Sequence, residues 1–237
     1  MKLNRKWLNE DFVDLSAVSD KEFVETLTVF GQKVETWERM DAEIKNVVVG
    51  KVLSMVRHPN SDHMFICQVD VGKDEPLQIV TGAQNVHEGD LVPTALHNSW
   101  LPGGVHITKG KLRGELSCGM LCSFAELGLT QNDLPGVFAD GIWILEPDSA
   151  KPGDDINPII GNDDTIVDFE ITNNRPDCYS IMGLAREAAA AFGKPMKHHE
   201  PVVHGSDGGS IFQHLDVEVP ATALCNRYSS RMVANVK

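Results

Sequence analysis

The run Lys109-Gly110-Lys111-Leu112-Arg113-Gly114 alternates basic side chains with glycine and leucine. On a strand, a period of two puts Lys109, Lys111 and Arg113 on one face. Three cations in a row repel one another unless a polyanion or solvent faces them. The run is therefore either an anion-facing strand or a solvated edge whose charges block sheet-to-sheet association. Other chemistry-bearing sets carry less. His58 and His63 beside Asp62 suggest an acid-base pair, yet Pro59-Asn60 makes a turn that Asp62 can hold by accepting from nearby amides. Cys118 and Cys122 have three residues between them, not the two of zinc knuckles, and no second pair accompanies them, so small buried thiols are preferred to a zinc site. His198, His199, His204 and His214 show no paired ligand spacing and read as part of a solvated linker. No glycine-rich phosphate loop precedes a helix, and no nucleophile, base and orienter can be named together. Neither a catalytic residue nor a metal ligand is expected.

The elements that would position the basic run start at Val47-Val48-Val49-Gly50-Lys51-Val52-Leu53, a β-branched strand signal. Strand-like runs follow at 65–71, 77–81 and 91–96, separated by turn clusters at 58–61, 72–76, 85–90 and 102–104. With a fifth strand near 105–108, this is the strand count of an OB-type β-barrel. A short helix is expected to end near Gly128, and a further strand to run from Phe138 to Leu145. Before the barrel, Ser19-Asp20-Lys21-Glu22 is a capping-box signature. Phe23, Leu27 and Phe30 follow at helical spacing, Gly31 suits the stop, and Val34 to Trp37 reads as a strand leading into the barrel. After it, 165–171 alternates as a half-buried strand, and Asp177 is placed to cap an alanine-rich helix ending at Phe192. Residues 215–219 and 228–236 are strand-like, too few for a core of their own.

Composition bounds the reading. The chain has 237 residues, 42% hydrophobic content, five cysteines and a formal net charge of −13. That charge argues against a sequence-wide grip on nucleic acid. It is uneven, however: 44–113 carries seven cations and six anions, a balance of +1, whereas 114–170 carries one cation and twelve acids, a balance of −11. The barrel thus has room for a basic face. No apolar run approaches the roughly 20 residues of a membrane span, and the first residues turn acidic by Glu10. A cytoplasmic protein with reduced thiols is expected.

The stretch 44–128 resembles the tRNA-binding domain found in the bacterial phenylalanyl-tRNA synthetase beta chain, in many methionyl-tRNA synthetases and in free-standing tRNA-binding proteins. The matching blocks are His58-Pro59-Asn60-Ser61-Asp62, residues 78–86, Leu101-Pro102-Gly103-Gly104, 109–114 and Gly119-Met120-Leu121-Cys122-Ser123. The flanks select the beta chain, through 1–36, 168–178 and 183–187. Met64, Thr81 and Gln84 depart from the family pattern.

The resemblance implies an α+β chain in which a five-stranded OB-type barrel (41–152) is inserted into a small split α/β domain (1–40 and 153–200). Residues 201–237 would be a linker and the first strands of a following editing domain. It implies a tRNA-binding and structural N-terminal region of the beta subunit of phenylalanine-tRNA ligase, non-catalytic by itself and with no cofactor of its own. ATP and magnesium would serve the complete enzyme, and the partners would be tRNA(Phe) and the alpha subunit, in a heterotetramer of two alpha and two beta chains. On such a barrel Lys109, Lys111 and Arg113 would meet phosphates, with Lys51, Arg57 and His58 extending the patch. Trp100 either stacks on a base or sits in the core, and core is preferred. Two other readings stay open: a module that mainly packs against other subunits, and a free-standing tRNA-binding protein.

Overall fold

The computed structural model describes residues 1–133, 140–197, 200, 202, 210–233 and 236, in two units, Met1–Lys197 and His198–Lys237. The first unit opens with β1 (Lys2–Asn4) and α1 (Arg5–Trp7), the latter capped by Asn4, whose side chain accepts from the Trp7 amide. Next comes α2 (Asp20–Val29), where Ser19 Oγ accepts from the Glu22 amide at 3.2 Å, as Ser-x-x-Glu demands. Gly31, at φ +100°, ends that helix in a conformation that side chains resist. Phe23 and Leu27 are buried, but Phe30 falls at the cap and is 58% exposed. β2 (Val34–Arg39) follows.

The next eight strands are β3 (Lys45–Arg57), β4 (Phe65–Asp70), β5 (Leu77–Thr81), β6 (Leu91–Leu101), β7 (Val105–Ile107), β8 (Gly110–Leu112), β9 (Glu115–Ser117) and β10 (Met120–Leu121). One antiparallel sheet runs β10-β6-β3-β4-β5, with β7 folded back on β6. Its curl comes from β3, which changes partner along its length. Val47 to Lys51 pair with β6, Lys51 to Arg57 pair with β4, and a register shift lies between Val52 and Ser54. Gly50 sits at the change of partner, where an added Cβ would lie 2.3 Å from Thr94 Oγ1 on β6 and 2.6 Å from Val69 Cγ1 on β4. Only a residue without a side chain lets the strands approach so closely. The sheet has six strands, one more than expected, because Gly119 lets the chain run against the Ala95 carbonyl and pair β10 with β6.

The sheet has a core on each face: Val47, Val49, Ala95, Phe124 and Trp143 form one buried cluster, and Val52, Cys67, Val69, Ile79 and Val92 form another on the opposite face. Of the strand expected from Phe138 to Leu145, residues 138 and 139 lie outside the described residues. Ile142 and Leu145 make only single bridges, to Ser123 and Leu91. The expected short helix is a 3-10 turn, Ala125–Leu127, stopped by Gly128.

After α3 (Ile156–Ile159), β11 (Thr165–Phe169) lies between β1 and β2, with Val167 opposite both Leu3 and Trp37. The segment expected to lead into the barrel is therefore an edge of this second, three-stranded sheet. α4 (Ile181–Phe192) is capped by Ser180, whose Oγ accepts from the Gly183 amide. Asp177, the cap expected from sequence, instead lies in a 3-10 turn and pairs with Arg175. Ala185, Ala188 and Ala189 are buried, and Phe192 stacks on Phe23 of α2 at 6.1 Å.

In the second unit, residues 211–213 make a 3-10 turn capped by Ser210. Residues 215–219 and 228–233, expected as strands, form none, since a strand needs a partner to bond its backbone and none is described in that unit. His198, His199 and His204 lie outside the described residues; His214 is exposed. No helix among the described residues is long and apolar enough to cross a membrane.

Gly50→Ala is expected to lower the unfolding free energy by about 1–3 kcal/mol, the usual cost of overpacking, and Tm by several degrees. Thermal unfolding followed by circular dichroism checks this. An unchanged Tm would remove Gly50 as the constraint on the curl.

Candidate nucleic-acid interface

The basic run does not continue as one strand. Gly110–Leu112 and Glu115–Ser117 form a hairpin whose two-residue turn is Arg113 (φ 49°) and Gly114 (φ 99°). Positive φ at both central residues matches the right-handed twist of the flanking strands. Arg113 is thereby lifted out of the row expected from alternation and placed at the hairpin tip. Lys111 stays on β8, exposed and opposite Leu116. Lys109 precedes the strand, with its amide donating to His97 Nδ1 at 3.1 Å and its side chain exposed. The hairpin is tied to β5: Gln78 Nε2 donates to the Leu116 carbonyl, and the Val80 amide to Ser117 Oγ.

The tip is held from the other side by the turn after β3. His58 is only 3% exposed, with the Asn60 amide donating to Nδ1 at 3.0 Å and Nε2 lying 3.1 Å from the Leu112 carbonyl. Since Nδ1 accepts, the ring proton sits on Nε2 and is donated to that carbonyl. His58 is thus a clamp between turn and hairpin, not an extension of the exposed patch. It also replaces Asp62 as the residue that holds the turn. Asn60 Nδ2 donates to the Arg113 carbonyl at 3.4 Å, and the Arg113 guanidinium returns a bond to the Asn60 carbonyl at 3.3 Å. Arg57 donates to the Asp62 carbonyl at 2.9 Å and lies 5.6 Å from the Phe65 ring centroid.

The structure therefore places Arg57 next to His58 of the clamp, Arg113 at the hairpin tip, Lys111 on β8 and Lys109 just before it. Lys51 is exposed but sits where β3 changes partner, opposite both Leu91 and Asp70. Six residues of strand separate it from Arg57, roughly 20 Å, so it lies outside this cluster. Trp100, expected in the core, is 43% exposed and stacks on His106, with centroids 4.3 Å apart and planes 14° from parallel. Sequence reasoning missed His106, although Pro102-Gly103-Gly104 centres a hairpin that pairs it with Trp100.

The arrangement can hold phosphate oxygens and an aromatic surface; nucleophilic chemistry is not favoured. Burial pushes the Cys67 thiol up to about 11 and the Cys122 thiol up to about 12, keeping both protonated at neutral pH. Among the described residues, no group of three or more histidines, cysteines or acids is placed to hold a metal ion.

Residues 47–152 match the family described as a putative tRNA binding domain. Over 237 residues the chain is 46% identical to the phenylalanine-tRNA ligase beta subunit of Clostridium acetobutylicum and 42% identical to that of Moorella thermoacetica. Each alignment takes in 100% of this chain and 29% of the relative, so the chain spans less than a third of those proteins. Among solved structures, a MetRS related protein from Pyrococcus horikoshii aligns with 46% of this chain and 85% of its own, at 21% identity and a TM-score of 0.31, a likeness too slight to bear on function.

His58→Ala is expected to cost about 1–3 kcal/mol by orphaning the Leu112 carbonyl and the Asn60 amide. Hydrogen exchange of the amides in 110–117 should accelerate well beyond that of β3 and β6. Equal protection in the variant would show that the hairpin does not depend on the clamp.

Proposed function

From a chain related along its whole length to phenylalanine-tRNA ligase beta subunits, with residues 47–152 in the family of the putative tRNA binding domain, we propose that this protein is the tRNA-binding and structural N-terminal region of such a subunit. The curled sheet is read as an OB-type barrel spanning 41–152, inserted into a split α/β domain made of 1–40 and 153–200. Residues 201–237 are read as leading into a further domain. Attachment of phenylalanine to tRNA(Phe), with ATP and magnesium, belongs in this reading to the complete cytoplasmic enzyme and its alpha subunit.

The observation that supports the proposal is the exposed hairpin of the matched domain, which carries Lys111 and Arg113 with Lys109 beside it and is tied to the turn after exposed Arg57, although the following segment is strongly acidic. Four cations so placed suit a short stretch of phosphate backbone. Because the rest of the molecule repels RNA, the grip is weak and sensitive to salt. A packing role is compatible with this and is favoured by a different observation: Val29, Phe30, Trp37 and Met40 are large, apolar and exposed on the flanking segment. Exposed apolar side chains of this kind suit packing against another subunit.

About four phosphate contacts predict an affinity for tRNA that falls roughly 50- to 150-fold between 50 and 200 mM salt. The triple variant Lys109→Gln, Lys111→Gln, Arg113→Asn keeps a residue that tolerates positive φ at the turn. It should bind more than about tenfold more weakly at 50 mM salt, with a shallower salt slope. Filter binding against unfractionated tRNA measures both. No binding by the intact chain at low salt would leave the packing role standing alone.

A further inference from the structure

The electrostatic hairpin does not account for Trp100 and His106. An indole in a barrel of this size belongs in the core or on a partner, yet this one is 43% exposed and lies nearly parallel to the imidazole across the β6–β7 hairpin. Lys45 stands directly opposite Trp100 on the neighbouring strand β3. Together with Glu43, Leu101 and the side-chain-free Gly103 and Gly104, these two residues line an opening of about 380 Å³, at the small end of the range that binds organic ligands. His106 borders a second cleft, of about 280 Å³, which Lys111 on the basic hairpin also lines. One aromatic pair thus adjoins a lysine on each side.

We propose that Trp100, backed by His106, is a stacking platform for one unpaired nucleobase, with Lys45 and Lys111 meeting the phosphates that flank it. The proposal rests on the RNA reading above and adds to it a preference for single-stranded RNA. A flat ring recognises any base by its π-face, whereas paired bases in a duplex present no free face to it. Lys45 and Lys111 carry the charge that draws a polyanion to the ring, and the glycines leave the indole uncovered. A pair that only stabilised its own hairpin would need no opening beside it.

The test is titration of the whole chain against dye-labelled hexa-adenylate, hexa-uridylate and a blunt RNA duplex of the same length, read by anisotropy of the label and, in the parent, by tryptophan fluorescence, for the parent, Trp100→Ala, Trp100→Phe and Lys111→Gln. The platform predicts tryptophan quenching by the single strands, adenylate more than uridylate, and little by the duplex. Trp100→Ala should weaken hexa-adenylate binding at least about fivefold with an unchanged salt slope. Trp100→Phe should recover most of the affinity, and Lys111→Gln should lower the salt slope by about one. If Trp100→Ala, folded by its thermal unfolding curve, binds like the parent while Lys111→Gln loses affinity, the platform is wrong and the RNA reading survives. If the duplex binds as tightly as the single strands and Trp100 is indifferent, the platform is likewise overturned. If the intact chain binds none of the three at low salt, the RNA reading falls and the platform with it.

Discussion

The structure depends on one strand serving two partners. β3 can pair with β6 over one half and β4 over the other only if its backbone passes both at close range, and Gly50 is where that happens. The consequences follow outward. The strand buries Val47 and Val49 on one face and Val52 on the other, where Cys67 and Val69 of β4 join it. The curl carries the far end of β3 to the turn at 58–61, and it leaves β5 free to receive the β8–β9 hairpin. A flatter sheet would place the same residues at the same sequence positions without bringing turn and hairpin together.

The clamp between them shows how a weakly charged surface becomes a defined site. Arg57 and Arg113 arise on segments more than fifty residues apart, and their charges repel. What ties the two segments together is hydrogen bonding: the His58 ring to the Leu112 carbonyl, and the reciprocal bonds of Asn60 and Arg113, one of them donated by the guanidinium. The geometry is set by hydrogen bonds around the buried His58 ring, which salt screens less than it screens attraction between exposed charges.

How much of this was legible in the sequence varies with the distance over which each feature is decided. Local signals read correctly: the Ser19 cap, the Gly31 stop, and strand runs at 47–53, 65–71, 77–81 and 91–96 all fall on observed elements. The hairpin turn was hidden because Arg113-Gly114 lacks the Asn-Gly signature, so alternation alone put three cations in line. His58 read as a patch residue because its partner is a backbone carbonyl 54 residues away. The exposure of Trp100 is a tertiary fact that hydrophobicity misjudges. At α4, Asp177 and Ser180 are both good caps; Ser180 takes the position because Asp177 is held by Arg175, which also binds Glu187. That ion pair holds the Glu187 carboxyl below its ordinary value.

The flanking sheet poses the opposite problem, since its central strand β11 comes from beyond the barrel. Its register with β2 begins at Thr165 and Arg39, and the Met40 amide donates to the Asp164 carbonyl at 3.0 Å. Asp20 reinforces the junction by accepting from both Arg5 and Thr165. Closing a loop of roughly 125 residues to bring these ends together carries a length-dependent entropy cost of about 4 kcal/mol if the intervening chain is unfolded. A folded barrel removes most of that cost, because its exit already lies against its entrance: Val48 bridges Asp155, the Val49 amide bonds the Asp154 carbonyl, and Asn157 donates to the Ile44 carbonyl. The curled sheet therefore does more than carry the exposed hairpin. By holding its own two ends together it makes the three-stranded sheet affordable, and damage to the change of partner in β3 should weaken both sheets together.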